Sequence, residues 1–156
     1  MPRINALEDI RNYHRISDAI ATGGQPTAEQ FNMINQAGFD VIINLSMPDS
    51  PHAIKDEDKV VLQTGMDYVH IPVDFKAPAL SELKRFFASM DTHEDKHIFI
   101  HCALNQRVPV FLFLYRTVRC DYPVAEAIND LHKVWQPDMT WQSFIDSVLD
   151  HYHIDC

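Results

Sequence analysis

The stretch from residue 98 to residue 119 constrains this chain most. Ile98-Phe99-Ile100 is apolar on both faces of a strand, and such a strand belongs in the middle of a sheet covered by helices. His101 ends the strand, and the chain then turns through Cys102-Ala103-Leu104-Asn105-Gln106-Arg107. Val108 to Arg119 has a helical pattern and is apolar nearly all round, so that helix should lie deep in the molecule. A buried strand feeding a buried helix across so short a turn points to an α/β layer fold.

The rest of the sequence alternates in the same way. Ala19 to Thr22 reads as a strand ending in Gly23-Gly24-Gln25-Pro26. Thr27-Ala28-Glu29-Gln30 has capping-box spacing and opens a helix with Phe31, Ile34 and Ala37 on its inner face, closed by Gly38. Val41-Ile42-Ile43 and Tyr68 to Ile71 are two more strands. Between them lie a polar loop from Asn44 to Pro51 and a helix from Asp56 to Thr64, ended by Gly65. Ser81 is expected to cap a helix with Leu83, Phe86, Phe87 and Met90 inward. Helices from Pro123 to Val134 and Thr140 to Tyr152 close the chain. No repeat or linker divides it, so residues 1–156 are read as one domain, a central sheet of four to five strands with helices around it.

Charge and cysteine usage narrow the partners. Asp and Glu outnumber Lys and Arg by 22 to 13, a net charge of −9, whereas nucleic-acid binding shows a basic footprint; no nucleic-acid partner is expected. A site for an anion must therefore be made positive locally. The longest apolar run, Val108 to Tyr115, is too short to span a bilayer, so no membrane partner is expected either. The three cysteines, Cys102, Cys120 and Cys156, are an odd set at wide spacing, which fits a reducing compartment. Met1 to Tyr13 is charged and has no apolar signal core, so a cytoplasmic location is expected; a periplasmic one would require an export signal removed from this sequence.

The turn after the buried strand carries the chemistry. Amides of such a turn and of the first helical turn converge unsatisfied, and the helix dipole adds partial positive charge. Arg107 adds a forked donor suited to tetrahedral oxyanions. The same field favours thiolate over thiol at Cys102, which makes it a candidate nucleophile. Pro109 suits the first turn of the helix, where its missing N–H has no partner to lose. A lone cysteine after an apolar strand can also be plain core, and Cys120 and Cys156 are read so. Cys102 differs by combining strand end, arginine five positions on and helix start.

With these residues in view, the stretch resembles the His-Cys…Arg loop of cysteine-dependent protein phosphatases of the dual-specificity type. More closely, it resembles the bacterial phosphatase-like domain also found fused to β-lactamase-like hydrolases. Thr22-Gly23-Gly24-Gln25-Pro26-Thr27, Gly38-Phe39 leading to Ile43-Asn44-Leu45, His70-Ile71-Pro72-Val73 and Phe113-Leu114-Tyr115-Arg116 extend the likeness over about residues 15 to 148. The resemblance implies a phosphatase-like three-layer α/β fold with a mostly parallel central sheet and helices on both sides. It implies Cys102 as nucleophile, Arg107 as oxyanion clamp and the loop Ala103, Leu104, Asn105, Gln106 and Val108 as the phosphate cradle. His101 would sit behind the loop and shape the thiolate's surroundings.

The loop departs from tyrosine phosphatases in three ways. Four residues, not five, separate Cys102 from Arg107, a gap that rhodanese-type sulfurtransferases use. The usual glycine is missing, although Asn105 tolerates left-handed backbone better than most residues. Val108 stands where a Ser or Thr hydroxyl normally helps the thiolate leave, which predicts slow turnover of a phospho-cysteine.

A phosphatase needs a general acid. Relatives place an aspartate on a loop about thirty residues before the cysteine, and Asp74 lies on such a loop; its other reading is a solvated carboxylate paired with Lys76. Asp49 is the second choice. His93, His97 and His101 fall across a loop and a strand, not on one helix face, and the residues from Asp150 to Cys156 read as a frayed tail, so no metal and no cofactor is expected.

The leading expectation is a phosphoric monoester hydrolase acting through a phospho-cysteine, with phosphate or another oxyanion bound at the Cys102 loop. No specificity motif is present, so protein, nucleotide and small-molecule phosphates all stand as substrates. The alternatives are sulfur transfer through a Cys102 persulfide and an anion-binding regulatory domain of weak activity.

Overall fold

The computed structural model describes residues 7–154. Among them a five-stranded sheet runs in the order β1-β2-β5-β3-β4. The strands are β1 (His14–Arg15), β2 (Ile20–Gly23), β3 (Val41–Asn44), β4 (Asp67–His70) and β5 (Ile98–His101). β1 pairs antiparallel with β2 at one edge, and every other pairing is parallel. β5 is central, aligned with Ile20 and Val41 at Ile98 and with Gly23 and Asn44 at His101. All four of its residues are buried, as its two apolar faces require.

Successive side chains along a strand face opposite layers, and the two cores divide accordingly. Val41, Ile43, Ile98 and Ile100 join the larger core with α3 (Leu80–Thr92), α4 (Arg107–Val118), α5 (Val124–His132) and α6 (Met139–His151). Ala21, Ile42 and Phe99 face the smaller core with Phe31 and Ile34 of α1 (Ala28–Gln36) and Val61 of α2 (Glu57–Gln63). The result is three layers with helices on both sides of the sheet. In α4 every residue except Arg116 and Val118 is buried.

The capping box at Thr27 forms, with Gln30 N–H donating to Thr27 Oγ1 and Thr27 N–H to Gln30 Oε1. Gly38 and Gly65 take the positive φ that ends each helix. Three expectations need correction. The cap of α3 is Ala79, whose N–H donates to Glu82 Oε1, and Ser81 sits inside the first turn because the helix already begins at Leu80. Cys120 is exposed rather than core, because α4 ends at Val118 and the chain turns outward there. The C-terminal segment is helical through His151, and Ile154 packs on the larger core instead of fraying; Asp155 and Cys156 lie outside the described residues. The two-residue strand β1 was too short to carry an apolar alternation. Among the described residues no helix is long and apolar enough to cross a membrane.

Candidate active site

Cys102 leaves the carboxyl end of the central strand, where parallel α/β sheets gather their ligands. The loop that follows is fixed from behind. Cys102 N–H donates to the Gly23 carbonyl at 3.3 Å, and Gln25 N–H donates to the Ala103 carbonyl at 3.0 Å. Asn12 Nδ2 donates to the Leu104 carbonyl at 2.9 Å. Asn105 adopts φ 58°, the left-handed backbone expected of it in place of glycine, and its Nδ2 donates to the Asn12 carbonyl and to Thr22 Oγ1. Among the described residues no hydrogen bond uses an amide N–H of residues 103–106. Unpaired amides in a turn that opens a helix form an anion nest.

The Gly23-Gly24 pair explains how the loop can lie so close to β2. A Cβ on Gly24 would come within 2.6 Å of the Ala103 carbonyl oxygen, and one on Gly23 would press on Ile10 and Phe99. Only glycine lets that turn serve as a shelf for the loop.

Cys102 and Arg107 line one open cleft of about 680 Å³. Both are nearly enclosed, at 1% and 8% exposure, so the sulfur sits at the floor and the guanidinium in the wall. Arg107 Nη1 donates to the Val73 carbonyl at 2.8 Å, and its guanidinium carbon lies 5.8 Å from the centre of the Phe75 ring. Its Nε has no protein partner among the described residues. One bond and one ring thus hold the side chain while donor capacity is left over. Val108 is fully buried and brings no hydroxyl to the sulfur's neighbourhood.

Asp74 lines the same cleft and is exposed. Its Oδ1 accepts the Lys76 N–H at 2.9 Å, so the contact with Lys76 is to the backbone amide. The loop that carries it is tethered at the next residue: Trp141 Nε1 donates to the Phe75 carbonyl at 2.8 Å, and the Phe75 ring packs between Trp135 and Trp141. Asp49 and His52 also border the cleft, on the loop after β3. Leu104 and Gln106 line it from the loop itself.

His101, immediately before the cysteine, is fully buried. Its Nε2 lies 2.8 Å from Glu57 Oε2 and its Nδ1 3.1 Å from the Cys102 carbonyl. Burial alone would raise the Glu57 pKa, but the charge of His101 and hydrogen bonds from His101, Gln25 and Tyr68 outweigh it and hold Glu57 below its ordinary value. Tyr68 is pushed up by burial and by the Glu57 charge. Sequence reading missed Glu57, because an acidic residue in a first helical turn looks like an ordinary solvated helix start. Among the described residues no group of three or more His, Cys, Asp or Glu is placed to hold a metal ion.

Comparison with known proteins bears on the family and the fold. Residues 4–110 match the model of a family described as a DSP-PTPase phosphatase fused to NAD+ kinase. The chain belongs to this phosphatase family. A DUF442 protein from Shewanella putrefaciens CN-32 superposes with a TM-score of 0.84 at 35% identity, covering 94% of this chain and 96% of that one. Two more distant structures share the phosphatase fold. Tk-PTP in its active form has a TM-score of 0.74 at 16% identity, covering 89% of this chain and 97% of its own. TpbA of P. aeruginosa in complex with pTyr has a TM-score of 0.69 at 14% identity, covering 97% and 94%. No curated protein matches the chain.

Proposed function

We propose that this member of the family hydrolyses phosphoric monoesters through a phospho-cysteine on Cys102. The thiolate attacks phosphorus, forming the P–S bond as the P–O bond to the leaving group breaks. Free amides of residues 103–106 and the Arg107 guanidinium hold the non-bridging oxygens, whose charge is largest in the transition state. Asp74 gives its proton to the leaving oxygen. Water then attacks phosphorus, Asp74 takes the water's proton, the P–S bond breaks and inorganic phosphate departs. No metal takes part. The observation that carries the reading is that Cys102, Arg107 and the loop residues Ala103, Leu104 and Gln106, whose amides are unpaired, line one cleft. The pTyr bound to TpbA, a protein of the same fold, makes aryl phosphates the first substrates to try.

The test is phosphate release from aryl phosphates and phosphotyrosine peptides between about pH 5 and 8, the range in which such acid–base pairs operate. Release by the wild type and none by Cys102→Ser is the expected result. No Cys102-dependent release across that range overturns the reading. The four-residue gap between Cys102 and Arg107 supports sulfur transfer as a second reading. Thiosulfate-to-cyanide transfer with a persulfide on Cys102 would favour it. Anion binding without any turnover would favour a regulatory domain, for which Val108 is the motive.

A further inference from the structure

The polar groups behind the catalytic loop fix one another's protons. Asn44 Oδ1 accepts from both Ser46 N–H (2.8 Å) and Ser46 Oγ (2.7 Å), so Asn44 Nδ2 is the end that faces Tyr68. That Nδ2 donates to the Tyr68 oxygen at 3.0 Å, which leaves the phenol proton for Glu57 Oε2, 3.0 Å away. Gln25 Nε2 donates to the Pro26 carbonyl and, at 2.7 Å, to Glu57 Oε1. Both carboxylate oxygens of Glu57 therefore accept, and hydrogen bonds donated to a carboxylate favour its charged form. Only His101 remains. Its Nε2 faces this carboxylate and its Nδ1 faces the Cys102 carbonyl, two groups that accept. A neutral imidazole has one N–H and satisfies one of them; an imidazolium satisfies both.

We propose that Glu57 is a positioning residue for the reaction at Cys102, keeping His101 as a buried imidazolium whose Nδ1–H holds the Cys102 carbonyl. The proposal rests on the reading of Cys102 as nucleophile. It places a fixed positive charge on the residue next to the sulfur, on the sheet side of the loop, while Arg107 supplies one in the cleft wall. Glu57 reaches this position from α2, whose preceding residue, Asp56, takes left-handed backbone at φ 56°. The groups that face the pair are Tyr68 and, beyond it, Asp58 near the phenol; neutral Gln25; the Phe31 ring, 5.8 Å from the His101 ring; and His70, whose Nε2 lies 2.7 Å from the Ser46 carbonyl. None of them brings a second cation to the carboxylate.

The direction of one effect separates this role from simpler ones. If Glu57 acted on the sulfur only as a negative charge, its removal would make Cys102 more reactive. If it keeps His101 charged, its removal discharges the imidazolium and makes Cys102 less reactive. Nitrogen NMR of histidine-labelled, full-length protein reads the first step. Both ring nitrogens of wild-type His101 should carry protons at neutral pH, since both face acceptors. In Glu57→Gln, one His101 ring proton should be lost, and the alkylation rate of Cys102 at neutral pH should fall about tenfold, equivalent to one unit on the pH axis. A singly protonated His101 in the wild type, or an alkylation rate that stays level or rises in Glu57→Gln, overturns the proposal. If Glu57→Gln does not fold, the wild-type spectrum decides. A reactive Cys102 beside a singly protonated His101 would leave the phosphatase reading standing and remove this one. An inert Cys102 beside a doubly protonated His101 would remove the nucleophile reading and the role of Glu57 with it.

Discussion

At the scale of single residues, the proposed mechanism sorts the loop into groups that would hold the anion and groups that would set the pace. Arg107 combines one bond to Val73, packing on Phe75 and spare donors, a geometry that an ammonium does not reproduce. Arg107→Lys should therefore lower kcat/KM for an aryl phosphate by about 10²-fold, the scale of losing a transition-state donor. Val108 makes a different prediction. With no hydroxyl to help the thiolate leave, phospho-cysteine should accumulate, and stopped-flow traces should show a burst of leaving group followed by a slow steady state. Val108→Ser should speed the slow phase and leave the burst rate little changed; a slow phase indifferent to that change would place the delay elsewhere. Asp74→Asn should cost about 10²–10⁴-fold on substrates with poor leaving groups and much less on activated ones.

At the scale of elements, the site depends on two contacts made by backbone. Gly24 leaves no room for a side chain above the Ala103 carbonyl, so Gly24→Ala must move the loop or the turn. The expected cost is about 1–3 kcal/mol of stability, measured by urea denaturation, with a loss of activity larger than the unfolded fraction explains. The Asp74 loop depends on Trp141, whose indole N–H reaches the Phe75 carbonyl. What was legible in the sequence follows from the reach of each signal. The strand–loop–helix unit was legible because its apolar pattern is local and continuous, and Asn105 because its backbone tolerance is a property of one residue. The pairing of Gly24 with Ala103 is a contact across 79 positions of chain, and that of Glu57 with His101 one across 44, and neither leaves a periodic trace. Ser81 was misread as a cap because a glutamate reaching back to Ala79 does the same work without a hydroxyl.

At the scale of the whole molecule, a chain of net charge −9 would draw the positive character that its proposed anion site needs from amides, Arg107 and the His101 imidazolium we propose, rather than from a basic surface. That choice has a cost in acid. Glu57 has a folded pKa below its ordinary 4.5, despite burial, because of His101, Gln25 and Tyr68; Asp130 is lowered too, despite burial, by Arg116 and Lys133. A lowered carboxylate contributes stability that is present above its unfolded value and lost as pH falls through the folded one. The urea midpoint should therefore hold from neutrality to about pH 5 and fall below about pH 4, with a shallower fall in Glu57→Gln. The account as a whole turns on whether Cys102 takes up phosphorus. Rapid acid quench of the protein turning over an aryl phosphate, followed by mass spectrometry of the peptide that contains Cys102, answers this directly. The account predicts one phosphoryl group on that peptide, chased away as phosphate forms and absent in Cys102→Ser. Hydrolysis that proceeds with Cys102 never phosphorylated, or that persists in Cys102→Ser, would contradict it.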